Sequence, residues 1–439
     1  MRTTRSKRLA IIAILALTGA LVAVPLAGPV WAEEGPPKNG TVRITSDEGF
    51  TPANGVRSGS GTKADPYVIS GWELNHLELK DTGSYVEVYD NTIQRLVLDW
   101  AGDGLEVHQN DIGDLRVNQN VKRTGAPSSG IITQNKIGLV GQLRHYDGVF
   151  SHNTVGTPSE DVWERTFPQR AVNFDGFNGA IFEKNVIYGH MDVRLHGHHH
   201  SSGYDDDSHH HGMEHEGHSE MVDHTSRYHQ VWIRDNKIFA TGSGYALTYT
   251  DTAHVANDRT AASESNEALN RPHVHNTKVQ LENNDLIGSG LLVNVFNADD
   301  EKHTATATGL VEIRDNTVTL SKDQTRATLR TLHGITIQQA EDIKLKIIDN
   351  VVTGPPPAEG QLSLPTDDWW DAQAGIWLRD IDKGVVHLYG NTVSHREMGI
   401  RAERMTASVR WIIDGLSVDE VGQDVYYDDT VANPPERRR

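Results

Sequence analysis

Between Asp90 and Val393 the chain repeats one four-residue unit ten times: a polar residue or Gly, then Asn, then any residue, then a β-branched or aliphatic one. The copies are Asp90-Asn91-Thr92-Ile93, Gln109-Asn110-Asp111-Ile112, Gln134-Asn135-Lys136-Ile137, His152-Asn153-Thr154-Val155, Lys184-Asn185-Val186-Ile187, Asp235-Asn236-Lys237-Ile238, Asn283-Asn284-Asp285-Leu286, Asp315-Asn316-Thr317-Val318, Asp349-Asn350-Val351-Val352 and Gly390-Asn391-Thr392-Val393. The first spacings are 19, 25 and 18 residues, the length of one solenoid coil, and the later ones of 32 to 51 require long insertions or intervening coils. A unit this short cannot bury a hydrophobic face alone, so its copies must stack. Asn suits the sharp turn of a parallel coil because it tolerates left-handed backbone, and stacked Asn side chains can hydrogen-bond from coil to coil. Short alternating segments precede most copies, such as Val86-Glu87-Val88-Tyr89, Val231-Trp232-Ile233-Arg234 and Val311-Glu312-Ile313-Arg314. Their period of two buries one face of a strand. The expected fold is all-β, a single-stranded right-handed parallel β-helix of the pectate-lyase-like kind with long loop insertions. A β-sandwich or a propeller with Asn-rich turns is the alternative, though a propeller calls for even blades of roughly 40 residues.

The N-terminus points to export. Arg2, Arg5, Lys7 and Arg8 precede an apolar run from Leu9 to Val30, and Val30-Trp31-Ala32 offers a small residue before a cut. The expectation is a signal peptide over residues 1–32, cleaved after Ala32 or else after Ala27, with an uncleaved anchor as the alternative. Secretion, a periplasmic location or display at the cell surface would follow. Removing the four leader cations from the formal charge of −19 leaves −23, which disfavours nucleic acid as a partner. The chain has no cysteine, so a continuous core must replace disulfide staples. The expected organisation is a capping segment over 33–72, the β-helix over 73–430 interrupted by a His-rich loop at 190–229, and a disordered tail over 431–439.

The segment expected to cap the front reads Gly55-Val56-Arg57-Ser58-Gly59-Ser60-Gly61-Thr62, followed by Asp65-Pro66-Tyr67-Val68-Ile69-Ser70-Gly71-Trp72. This Gly-Ser-Gly-Thr turn with its Asp-Pro-Tyr-x-Ile-x-Gly-Trp continuation resembles the opening motif of secreted archaeal and bacterial β-helix proteins of the NosD-like family. With the Asn repeats, the resemblance spans roughly Thr41 to Ile413. It implies the right-handed parallel β-helix repeat fold, and a periplasmic role in copper-centre assembly alongside an ABC transporter. The same repeat superfamily includes polysaccharide lyases, hydrolases and surface adhesins, so the motif specifies fold more closely than function.

The strongest local signal is Gly189–His229, which holds 12 of the chain's 23 histidines. So polar a run cannot fill a coil interior and is expected to leave the stack as a loop. Its candidate metal ligands are His196, His198, His199, His200, His209, His210, His211, Met213, His215, His218, Met221 and His224. Neutral imidazole is the commonest transition-metal ligand, and interleaved Met thioether suits cuprous copper while adding little for zinc. Copper is therefore favoured, with zinc or nickel as alternatives. The triplet Asp205-Asp206-Asp207 would serve harder ions, calcium among them, or simply solvate the loop. A plain solvated linker with incidental metal affinity is the competing reading of the whole segment. His273 and His275, with His254 upstream, form a second candidate set, since residues two apart on a strand share a face.

No catalytic set stands out: the carboxylates recur at turn positions and are sufficiently explained by turn chemistry. Trp369 and Trp370, flanked by acids, are candidate carbohydrate platforms or else core plugs beneath a loop. The leading expectation is a non-enzymatic metal-binding accessory protein serving an envelope transporter or a metalloenzyme. A polysaccharide-active enzyme or a carbohydrate-binding adhesin on the same scaffold is the alternative.

Overall fold

The computed structural model describes residues 35–99, 104–118, 130–144, 146, 148–158, 170–175, 179–196, 229–240, 245–253, 275–297, 307–321, 333–340, 343–356, 373–433 and 435–438. They form 31 strands joined in one sheet that winds as a parallel β-helix. Helical structure among them is limited to two single 3₁₀ turns, Asp47–Gly49 and Pro52–Asn54, and no helix among the described residues is long and apolar enough to cross a membrane.

Each coil contributes to three faces. The first face holds the alternating segments before each Asn: Val86–Tyr89 pairs in parallel with Leu105–His108, and further along the stack His229–Arg234 pairs with His275–Glu282 and then Ala307–Arg314. The second face begins just after each Asn, as in Lys237–Phe239 paired with Asp285–Gly288. The third face runs through Arg170–Asp175, His190–His196, Leu247–Ala253, Leu291–Asn297 and Ile335–Ala340. It continues through the start of Ala374–Tyr389, the middle of Thr392–Asp414, and Ser417–Tyr427. The period-two reading holds on the first face. Val86, Val88, Leu105, Val107, Val231, Ile233, Val279, Leu281, Val311 and Ile313 are all buried in one continuous core, while Glu106 between two of them is exposed.

At the corner between first and second faces the ten repeat Asn residues line up as one ladder. The side-chain Nδ2 of each donates to Oδ1 of the next, from Asn91 to Asn110 at 3.0 Å through to Asn350 to Asn391 at 3.0 Å. The same Oδ1 accepts the backbone N–H of the preceding Asn, at 2.9–3.1 Å along the ladder. Nδ2 also reaches back to the coil before, so that Asn236 holds the carbonyl of Phe182 at 3.0 Å. Each buried amide thus joins three coils with its polar atoms satisfied, as burial demands.

Two expectations are refined here. The left-handed residue of each turn is the one before Asn: Asp90, Gln109, Gln134, His152, Lys184, Asp235, Asn283, Asp315 and Asp349 have φ between 51° and 57°, and Gly390 has φ 62°. Asn is selected for its amide, and its predecessor carries the strained backbone. The long spacings contain no intervening coils either, because residues 51 and 48 positions apart are direct ladder neighbours. The surplus residues fall, in sequence, at the other two corners.

The ladder ends on apolar residues. Gly71, with φ 70°, takes the left-handed position at the front, and Trp72 stands where Asn would, its backbone N–H donating to Asn91 Oδ1 at 3.0 Å. Its indole N–H donates to the Gly55 carbonyl at 2.8 Å and its ring lies 4.0 Å from the Arg57 guanidinium. Phe50 stacks on Tyr67 at 4.4 Å, and Asp47 accepts from the Ser84 hydroxyl at 2.7 Å, which ties the front turns to the first coils. At the far end Gly415, φ 65°, precedes Leu416. The boundaries also differ from those expected. Parallel pairing starts at Gly40–Ile44, bonded to the strand Glu73–Lys80, inside the segment assigned to the cap. At the other end Glu436–Arg438 pairs with Ile412–Asp414, and Trp411 Nε1 donates to the Asn433 carbonyl at 2.7 Å. A coil edge left unpaired would expose its N–H and C=O groups, and these terminal residues cover it.

Replacing Asn236 by Ala removes the acceptor of two bonds and the donor to Phe182 in a buried ladder. It is expected to lower unfolding free energy by about 2–4 kcal/mol. Lys184→Gly, which relieves a left-handed non-glycine residue, is expected to be neutral or stabilising, whereas Lys184→Val is expected to destabilise. Urea unfolding of the three variants checks all of this; a larger loss from Lys184→Gly than from Asn236→Ala would refute the division of labour.

Candidate functional site

The three corners differ in what they tolerate. Nothing is inserted at the Asn corner, while the stretches outside the described residues fall at the two corners that flank the third face. Those of nine residues or more are 119–129, 197–228, 254–274 and 298–306 between third and first faces, and 159–169, 322–332 and 357–372 between second and third faces. The third face is therefore the one bordered by insertions along both edges. In open parallel sheets, variable connections of this kind are where binding groups collect.

A second repeat builds the later coils of that face. Ser289-Gly290-Leu291-Leu292-Val293, His333-Gly334-Ile335-Thr336-Ile337, Ala374-Gly375-Ile376-Trp377-Leu378 and Met398-Gly399-Ile400-Arg401-Ala402 stack in register. The glycines are forced by space. A Cβ on Gly334 would lie 2.2 Å from Val352 Cγ1, and one on Gly375 would lie 2.3 Å from Val393 Cγ1. The aliphatic residues after each glycine, Leu291, Ile335, Ile376 and Ile400, enter the main core. The residue between the two aliphatics points outward, which yields a column of Leu292, Thr336, Trp377 and Arg401. Trp377 packs with Ala374 and Met398 in a small cluster separate from the core. This motif was legible in the sequence and was missed because its copies are fewer and lack the Asn.

Three of the four are buried even though they face away from the core: Thr336 is 0 %, Arg401 1 % and Trp377 7 % exposed, as is Glu403, two residues on from Arg401, at 5 %. Arg401 ion-pairs with Glu403. The guanidinium groups of Arg379 and Arg401 lie 5.2 Å and 5.4 Å from the Trp377 ring, within cation–π range. His333 lies against the same ring at 4.3 Å, and its Nδ1 accepts the Ala374 N–H at 3.1 Å. Burial, with the nearby charges of Arg401 and Arg396, pushes the His333 pKa down to about 3. The imidazole is neutral and carries its proton on Nε2. Arg396, also buried, donates through Nη1 to Gln373 Oε1, and burial pulls its pKa down to about 10. Further toward the front of the same face Asp192 pairs with Arg194 at 2.7 Å, and His190 Nδ1 donates to the Tyr245 carbonyl. The Tyr245 hydroxyl donates to Thr336 Oγ1 at 3.1 Å, and burial pushes its pKa up to about 12.

The ligands expected from the sequence fall elsewhere. His198, His199, His200, His209, His210, His211, Met213, His215, His218, Met221, His224, His254, His273, Trp369 and Trp370 lie outside the described residues. His196 ends the strand His190–His196 and His275 begins the strand His275–Glu282, on backbone positions only. Their strands do set the stems of the inserts. His196 is in register with Thr252, and His229 with Thr277, on adjacent coils. Among the described residues no three His, Asp or Glu side chains form a group able to hold a metal ion.

Neutral His333 makes a pH prediction. An unfolded chain takes up its imidazole proton near pH ~6.5, whereas the folded protein resists protonation until about pH 3. Stability contributed by the neutral form is complete above ~6.5 and is lost as pH falls toward about 3. His333→Gln, which keeps an acceptor for the Ala374 N–H, is expected to shrink the drop in urea midpoint between pH 7 and pH 4; an unchanged drop would refute the assignment.

No family model, no curated protein and no solved structure matches this chain, so its fold is read from the strand pairing itself.

Proposed function

We propose that this is an extracytoplasmic parallel β-helix protein that holds a soft or borderline transition metal, copper before zinc or nickel, in the insert between His196 and His229. The supporting observation is the layout of the insertions. Three consecutive coils open at one corner, after His196, after Ala253 and after Asn297. The stems of the first two are adjacent in register. Segments carrying nine His and two Met in the first insert, and His254 and His273 in the second, are thereby anchored side by side on a rigid support. Adjacent coils are about 4.8 Å apart, close enough for ligands from both to reach one ion. A metal-delivery role toward an envelope transporter or a metalloenzyme, as the NosD-like resemblance implies, is part of this proposal.

Mature protein is expected to bind several equivalents of copper or zinc near pH 7, and deletion of Gly197 to His218 to remove most of that binding while leaving thermal unfolding nearly unchanged. The deleted stretch lies at a corner the ladder does not cross and holds hardly any apolar residue. Affinity should collapse as pH falls through ~6.5, where imidazole protonates. Met213→Leu with Met221→Leu should weaken cuprous binding more than zinc binding. Metal analysis of the deletion variant is decisive: unchanged stoichiometry would eliminate the insert as the site.

A second reading is favoured by the third face, which is bordered by insertions along both edges and carries Trp377 beside Arg379 and Arg401 on its outward side, a set of groups suited to the acidic sugars of a glycan. Binding without turnover is expected on acidic glycans with and without calcium, and product formation would instead make the protein an enzyme.

A further inference from the structure

One patch of the third face holds more buried donors than acceptors. Arg396 is 3 % exposed, and only its Nη1 is bonded, to Gln373 Oε1; Nε and Nη2 have no partner. Its sequence neighbour Glu397 does not fill the gap, because Glu397 Oε2 accepts the Gln373 N–H at 2.6 Å. Trp377 Nε1, also buried, is a second donor without an acceptor. His333 is a third, since its Nδ1 is occupied by the Ala374 N–H and its remaining ring nitrogen is therefore a donor as well. The three residues belong to successive coils and are linked: His333 lies against the Trp377 ring at 4.3 Å, and the Gln373 that Arg396 holds precedes the Ala374 that His333 holds. Gly354 packs against this arrangement: a Cβ there would meet the His395 carbonyl at 2.2 Å and would lie 3.1 Å from both Cδ and Nε of Arg396.

An ionised guanidinium and an indole N–H left bare in a dry site are each costly. A group with acceptors only, and with negative charge, relieves both at once. We propose that His333, Trp377 and Arg396 form a binding site for a carboxylate or oxyanion, with the Arg396 Nε and Nη2 edge as the principal contact. Guanidinium edges match such groups in two parallel hydrogen bonds. Neutral His333 suits the role, since it donates without adding a third buried charge beside Arg396 and the ion-paired Arg401. Free small anions and the acidic groups of a glycan share this chemistry.

The inference is independent of the metal reading, and its test is run with chelator present so that bound metal cannot supply the signal. Mature protein in EDTA is titrated calorimetrically with sodium sulfate, sodium acetate and trigalacturonate, with chloride setting constant ionic strength. Saturable binding of one equivalent is expected. Arg396→Lys, which keeps the charge and loses the planar edge, should weaken it by tenfold or more. Trp377→Phe, which keeps the ring and removes only the N–H, should weaken it by several-fold while leaving thermal unfolding in chloride near that of the parent. Binding of sulfate or acetate marks a site for free anions; binding of trigalacturonate alone marks the acidic sugar as its source. Absence of saturable binding by all three probes, or affinity unchanged in both variants, overturns the proposal and leaves buried water as the partner of these donors.

Discussion

The amide-to-amide bond between successive Asn side chains is the interaction on which the rest of the molecule depends. It is buried, it recurs at every step from Asn91 to Asn391, and it fixes the register of all three faces because each coil passes through it once. Hydrogen bonds arranged head to tail polarise one another, and every Oδ1 here points toward the N-terminal end of the stack, so the ladder has a direction. That direction explains the different ends. The front must supply a donor to the first Oδ1 without a further amide, which the Trp72 backbone does while its indole covers the core.

Much of the fold was legible because turn chemistry and strand periodicity agree in each coil. Asp90-Asn91 or Asp235-Asn236 marks the corner, and the two-residue period of Val231 to Ile233 marks the buried side. The backbone role of Asn was misassigned for a physical reason: Asn tolerates left-handed geometry better than the Gln, His or Lys that precedes it in several copies, and only the backbone angles and hydrogen bonds reveal that it is kept for its amide. The terminal boundaries were less legible, since pairing of Gly40–Ile44 and Glu436–Arg438 depends on contacts with strands more than twenty residues away.

The site was legible in a different degree. His and Met in the insert after His196 announce themselves by composition, which says what they can bind and nothing about where the ligands sit. The third-face patch has the opposite character. Trp377, His333 and Arg396 are unremarkable in the sequence, scattered over 64 positions, and become a group only when the glycine column Gly290, Gly334, Gly375 and Gly399 brings their coils together. Its signature was the recurring Gly followed by an aliphatic residue, in which the positions on either side are free to vary because neither enters the core.

The absence of insertions at the Asn corner separates contour length from axial position. Eighteen residues between Asn135 and Asn153, and 51 between Asn185 and Asn236, advance the chain by the same single step. Location along the axis is thus counted in whole coils, whatever sequence lies between. Groups displayed on different coils stand apart by integer multiples of about 4.8 Å, and growth or loss of an insert alters what is displayed without shifting any other group. The scaffold behaves as a graduated ruler whose marks are asparagines, and two ligand-bearing segments can be brought nearer or moved apart only by removing or adding a complete graduation.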